Sequence, residues 1–174
     1  MQHEQAAAMA ADVAWKINRS VGVTVATSGP GATNLITGIA CSYFDSIPTI
    51  HITGQVNQKE KIPFKGAKVR QAGFQETNIV DLVKPITKYS IMIKDPNMIK
   101  YHLQKAIHLA TSGRPGPAWI DIPANVQNDK IIEEELIDFD STEFSVKPDP
   151  EFASKVIEVA KLLKKAKRPL LLAG

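Results

Sequence analysis

From Ser20 to Phe44 the chain carries no charged residue, yet Ser28-Gly29-Pro30-Gly31 cuts this stretch in two. Its length would suffice to span a bilayer, but the Gly-Pro-Gly break and the many Thr, Ser and Asn side chains oppose a continuous membrane helix. A buried strand, a tight turn and a buried helix account for the pattern better. Val21-Gly22-Val23-Thr24-Val25-Ala26 is β-branched and apolar on both faces, as a central parallel strand is. Pro30 suits the first turn of a helix that runs to about Phe44, with Cys41 as a small core residue.

The rest of the chain repeats this alternation. Alanines between Glu4 and Asn18 predict a helix, with Asp12, Lys16 and Arg19 gathering toward its end. Pro48 to Thr53 reads as a second buried strand, in which His51 is a satisfied core histidine. A short helix is expected from Glu76 to Val83 and a strand from Ile86 to Lys94. Asp95-Pro96 then starts a helix to Thr111, with Gly113 as its cap and His102 and His108 on its solvated face. Pro117 to Ile122 forms the next strand. Strands and helices at this spacing give an α/β fold, an open parallel sheet with helices on both faces.

Between Val56 and Gly73 no period survives. Lys59, Lys61, Lys65, Lys68 and Arg70 surround Pro63 and Gly66 in a long basic loop of the kind that is functional or mobile. Residues 1–125 are read as one domain lacking its first βα unit, 126–150 as a linker, and 151–174 as the start of a second α/β domain. That second domain comprises a helix from about Glu151 to Ala166 and a first strand, Pro169 to Gly174. A sheet without its first unit would expose apolar surface.

The net charge of +3 is too small to indicate nucleic acid, and the basic residues lack interleaved aromatics. One cysteine excludes an internal disulfide framework and any CxxC metal site, and suits a reducing compartment. A cytoplasmic protein is expected, with neither membrane nor nucleic acid as partner and no metal ligands in this chain.

Thr27 to Asn34 follows a strand and enters a helix, the place where open α/β sheets bind ligands. Two glycines there allow close backbone approach, and the helix N-terminus offers free N–H groups. A ligand loop and a plain tight turn fit this segment equally well. Glu4 alone reads as a first-turn acid favoured by the helix dipole. Gln75 alone reads as a helix-start residue and Phe74 as core.

In their order along the chain these segments are more specific. They are His3-Glu4-Gln5-Ala6-Ala7, Thr27-Ser28-Gly29-Pro30-Gly31-Ala32-Thr33-Asn34, Asp45-Ser46-Ile47-Pro48 and Ile52-Thr53-Gly54-Gln55-Val56. Gly73-Phe74-Gln75-Glu76, Thr111-Ser112-Gly113-Arg114-Pro115-Gly116-Pro117 and Asp121-Ile122-Pro123 follow. The string resembles the pyrimidine-binding domain of the thiamine-diphosphate-dependent enzymes of the acetolactate synthase family, over roughly Met1 to Val126. Arg168 to Gly174 resembles the entry to that family's central domain.

The resemblance implies decarboxylation of a 2-keto acid such as pyruvate and carboligation of the remaining fragment. Glu4 corresponds to the glutamate that hydrogen-bonds N1′ of the cofactor's aminopyrimidine, a task expected to need a low-dielectric pocket that raises its pKa. Gln75 and Phe74 line the same centre, Thr33 and Asn34 stand near the pyrimidine, and Arg114 matches an arginine that contacts FAD in flavin-containing members. Arg114 reads equally as a helix-end residue that satisfies carbonyls. The diphosphate and its Mg²⁺ are held by a second domain, reached across a homodimer or tetramer interface, so the chain alone is expected to be inactive.

Some positions depart from the pattern. Val13-Ala14-Trp15-Lys16 replaces Gly-Tyr-Ala-Arg, Asn57 a proline, and Ala124 a lysine, while the basic loop is long. Two alternatives therefore stand beside acetolactate synthesis. One is a related carboligase that adds a pyruvate-derived two-carbon unit to a keto-sugar in surface-polysaccharide synthesis. The other is a cofactor-free interaction module.

Overall fold

The computed structural model describes residues 1–61, 69–144 and 149–172. Most of the basic loop, including Pro63, Lys65, Gly66 and Lys68, lies outside them, as do Ala173 and Gly174. The chain divides into two compact units, Met1–Ser141 and Thr142–Gly174.

The first unit opens with α1 (Glu4–Asn18), where His3 accepts the Gln5 N–H and Arg19 ends the helix in the left-handed conformation. Then come β1 (Gly22–Ala26), α2 (Pro30–Asn34), α3 (Ile36–Phe44) and β2 (Thr49–Gln55). They are followed by α4 (Ile79–Val83), β3 (Tyr89–Met92), α5 (Ile99–Thr111), β4 (Ala118–Pro123) and α6 (Ala124–Gln127). The four strands form one parallel sheet in the order β1-β2-β4-β3. One core, built on Ala8, Leu35, Ile39, Ile79, Val83 and Trp119, joins α1 to α4 to one face. Ile50, Ile93, Ala106, Ala110 and Ile120 join α5 to the other. The expected open parallel α/β sheet, covered on both faces, is the observed architecture.

Small residues let α1 sit close to its neighbours. A Cβ on Gly22 would stand 2.2 Å from the Ala11 carbonyl oxygen, and one on Gly38 2.5 Å from Ala8 Cβ. Buried Asp12 ties α1 to α3 by accepting from Ser42 Oγ at 2.9 Å, and within α1 it pairs with Lys16 at 2.7 Å.

Several local expectations are corrected. Among the described strands β1 stands at one end of the order, and its side chains are alternately buried and exposed, with Val23 and Val25 57% and 77% exposed. The helix after Pro30 is broken at Leu35, whose N–H bonds the Ala32 carbonyl, a tighter turn than the α-helix makes. Cys41 is exposed because it faces away from the core side of α3, which buries Gly38, Ile39 and Ser42. The helix expected from Glu76 begins only at Ile79, because Glu76 is used in the preceding turn. β3 is shorter than Ile86–Lys94, and a 3₁₀ turn occupies Lys84–Ile86. His102 and His108 are not on a solvated face. His102 Nδ1 lies 2.7 Å from Tyr89 Oη, and the His108 ring packs 5.5 Å from Phe139. Phe139 reaches that position because its N–H donates to Gln104 Oε1 and neighbouring Asp138 pairs with Lys100.

In the second unit α7 (Phe152–Lys165) begins near Asp149 and Glu151, both paired with Lys155. Apolar residues recur along it at helical spacing: Phe152, Val156, Val159 and Leu163. Among the described residues, 169–172 are in no strand, and a strand needs a neighbour to satisfy its backbone. Among the described residues no helix is long and apolar enough to cross a membrane.

Candidate active site

α1 leads into β1 through a short turn and runs antiparallel to it, so its N-terminus stands at the carboxyl end of the sheet. That end also carries the loop after β1 and the segment that precedes α4. Three separate parts of the sequence therefore meet there.

Glu4, half-buried in the first turn of α1, accepts from Asn34 Nδ2 through Oε2 at 3.1 Å. The Asn34 amide stabilises the ionised carboxylate and holds its pKa below the ordinary value. The pKa-raising pocket expected from the sequence is not supplied by these residues. Donation from Asn34 outweighs the partial burial. Glu4 also lines a cleft of about 470 Å³ between α1 and β1. On its other side is Gly31, where a Cβ would stand 2.7 Å from Thr27 Cγ2 and 3.4 Å from Glu4 Oε1. A side chain there would fill the space between carboxylate and loop, so glycine keeps the approach to Glu4 clear. Thr33 turns inward on its own helix, its Oγ1 donating to the Pro30 carbonyl at 3.2 Å.

Gly29 joins this loop to the segment around Gln75. Its φ is 62°, and a Cβ would meet the Gln75 carbonyl oxygen at 2.7 Å and Gln75 Cβ at 2.8 Å. Gln75 itself has φ 56°, unusual for a residue with a side chain. The turn is closed by Glu76, whose Oε2 accepts from the N–H groups of Ala72 and Gly73 at 2.9 and 3.2 Å. Phe74 is not core, since it is 80% exposed on this turn. The structure thus gathers Glu4, Asn34 and Thr33 on one side of the loop and Gln75 with Phe74 on the other.

Arg114 does not join them. It precedes β4, and its partner Ser46, which receives Nε–H at 2.7 Å, precedes β2. Both lie at the amino end of the parallel sheet, roughly 20 Å of strand away at about 3.3 Å per residue. Arg114 bonds the Ser46 hydroxyl, where helix-end carbonyls were the other expected partner.

Two buried polar residues at the carboxyl end received no role from the sequence. Asp121 of β4 accepts from Thr53 Oγ1 at 2.7 Å and from Gln55 Nε2 at 3.0 Å. The signal that could have found them is a carboxylate within the apolar run Ala118-Trp119-Ile120-Asp121-Ile122. Among the described residues no group of three or more His, Cys, Asp or Glu side chains is placed to hold a metal ion.

Residues 1–82 match the family described as "Thiamine pyrophosphate enzyme, N-terminal TPP binding domain". The chain is 41% identical to the probable acetolactate synthase large subunit of Methanocaldococcus jannaschii over 99% of its own length and 28% of that protein. It is 39% identical to the acetolactate synthase large subunit of Corynebacterium glutamicum, over 100% of the chain and 26% of the relative. Against the chloroplastic acetolactate synthase of Arabidopsis thaliana the identity is 35%, over 99% and 25%. The chain therefore spans about a quarter of the length of these curated relatives. On these matches, residues 1–82 carry the N-terminal domain of the thiamine pyrophosphate enzyme family, and the chain along nearly its whole length is similar to acetolactate synthase large subunits.

Proposed function

We propose that this chain is the pyrimidine-binding part of an enzyme that decarboxylates a 2-keto acid and ligates the product to an acceptor carbonyl, in the manner of acetolactate synthesis. The observation that carries the reading is the Glu4–Asn34 pair, set beside Gly31 at the carboxyl end of the sheet. Thiamine diphosphate, when bound, supplies the carbanion chemistry.

Glu4 presents an ionised carboxylate at neutral pH, and Asn34 stabilises that form by lowering its pKa further. Such a carboxylate is an acceptor for a ring N–H and favours the protonated form of that ring nitrogen. Covering Glu4 with a ligand removes water and makes the carboxylate more basic, so the pKa tuning comes with binding rather than before it. Asn34 fixes the direction of Glu4 and thus acts as a positioning residue. Gln75 offers an amide donor on the opposite side of the loop, suited to a keto-acid oxygen, and exposed Phe74 offers an apolar wall.

The remaining assignments extend this reading. The diphosphate and Mg²⁺ belong to a second domain, approached across a homodimer or tetramer interface, and the single exposed thiol Cys41 suits the cytoplasm. Arg114 lines, with Tyr43, Phe44, Lys88 and Pro115, a hollow of about 380 Å³. Two cations beside aromatic rings suit a planar, anionic ligand, and we assign an FAD contact to that place.

Glu4→Gln in the holoenzyme tests the proposal. The substitution keeps the hydrogen-bonding shape but removes the charge, and turnover is expected to fall by at least about 100-fold, the scale of a lost acid–base group. Wild-type turnover in that variant would overturn the assignment of Glu4.

A further inference from the structure

At the carboxyl end of the sheet runs a buried polar chain that the reaction, as proposed, leaves unused. Asp121 is 1% exposed and stands opposite Thr53 in the parallel register. Thr53 Oγ1 donates to Asp121 Oδ1 at 2.7 Å and accepts from Trp119 Nε1 at 3.0 Å. Gln55, two residues further along β2, donates from Nε2 to Asp121 Oδ2 at 3.0 Å and to the Thr77 carbonyl at 2.8 Å. Its Oε1 accepts the Val56 N–H at 3.0 Å. Both amide protons of Gln55 are therefore engaged, one by a buried carboxylate and the other by the backbone two residues beyond Gln75.

A buried carboxylate is a poor way to gain stability, because apolar side chains of similar volume serve the core as well or better. It is a good way to hold an amide in one orientation. The backbone around Gln75 is clamped on both sides. Glu76 closes the turn on Ala72 and Gly73, and Gln55 holds Thr77. Between the clamps Gln75 keeps the left-handed conformation that places it against Gly29, one that non-glycine residues hold only under constraint.

We propose that Asp121 and Gln55 are positioning residues that, through the Thr77 carbonyl, hold Gln75 in its left-handed conformation beside the Gly29 loop. The inference rests on Gln75 being an active-centre residue. Hydrogen exchange, followed by mass spectrometry on the full 174-residue chain, tests it with Asp121→Asn and Gln55→Met. Amides from Gly73 to Thr77 are expected to exchange about 5- to 10-fold faster in both variants, the worth of roughly one net hydrogen bond. Those of α5 are expected to stay at the wild-type rate. In the holoenzyme, Gln55→Met is expected to lower kcat about tenfold, the same scale, while the Kd for thiamine diphosphate is unchanged. Unchanged exchange at 73–77, equal acceleration throughout the sheet, or failure of both variants to fold would each assign the chain of bonds to the core and overturn the proposal. A Glu4→Gln holoenzyme that stayed active would remove the cofactor reading and leave the exchange result standing.

Discussion

Replacing Gly29 with alanine probes the junction on which the site depends. Two costs arise there, and they can be separated. The first is conformational: φ 62° with ψ −119° is a region kept for glycine, and a side chain in it costs about 1–3 kcal/mol. The second is steric. The new Cβ would lie 2.7 Å from a backbone oxygen of Gln75, which cannot rotate away as a side-chain tip could. Overpacking of this kind adds about 1–3 kcal/mol. Gly113→Ala is the control, since Gly113 has φ 58° and nothing within 4 Å of its Cβ position. Its expected cost is the conformational part alone, about 1–2 kcal/mol. Urea unfolding of the chain reads both variants. With a slope of about 2 kcal/mol per molar, Gly29→Ala should lower the midpoint by roughly 1–3 M and Gly113→Ala by roughly 0.5–1 M. Equal midpoints for the two variants would refute the argument, because they would show that the Gly29–Gln75 approach adds nothing.

Two further predictions concern titration. His51 is fully buried between Thr24 Oγ1 and Thr49 Oγ1, and burial pushes its pKa down to about 3. The folded state keeps it neutral while the unfolded chain protonates it below its ordinary 6.5, so stability is lost as pH falls from 6.5 toward 3. The contribution is up to about 1.4 kcal/mol per pH unit. His51→Gln should flatten the stability profile between about pH 6 and pH 5, above the carboxylate range, and parallel profiles for the two proteins would contradict the assignment. Asn34→Ala should move the Glu4 carboxyl titration upward, as its principal stabilising donor is lost. Carbon-13 NMR of the Glu4 carboxyl reads this directly, and an unmoved titration would mean that Asn34 does not lower the pKa.

Features that depend on near neighbours along the chain were legible in the residues alone. The alanine-rich α1 matches its expected limits, and each strand stands within a few residues of its apolar run, because helix and strand periods are local properties. The ordered motifs also singled out Glu4, Asn34 and Gln75, which the fold brings to one end of the sheet. How each element is covered and what each side chain meets came from the folded arrangement. Val21 to Ala26 is apolar save for Thr24, but which of its side chains are covered depends on the packed neighbours, and Val23 and Val25 are exposed among the described residues. Cys41, His102 and His108 changed sides for a related reason, as burial follows the neighbour packed against a helix and not the helix's own pattern. Asp121 and Gln55 are 66 residues apart, and no local rule links a strand carboxylate to the turn that carries Gln75. Glu4 shows the division most clearly. Its place at a helix start was legible, while the lowering of its pKa comes from Asn34, a contact that exists only once α1 and the loop after β1 fold onto the same end of the sheet.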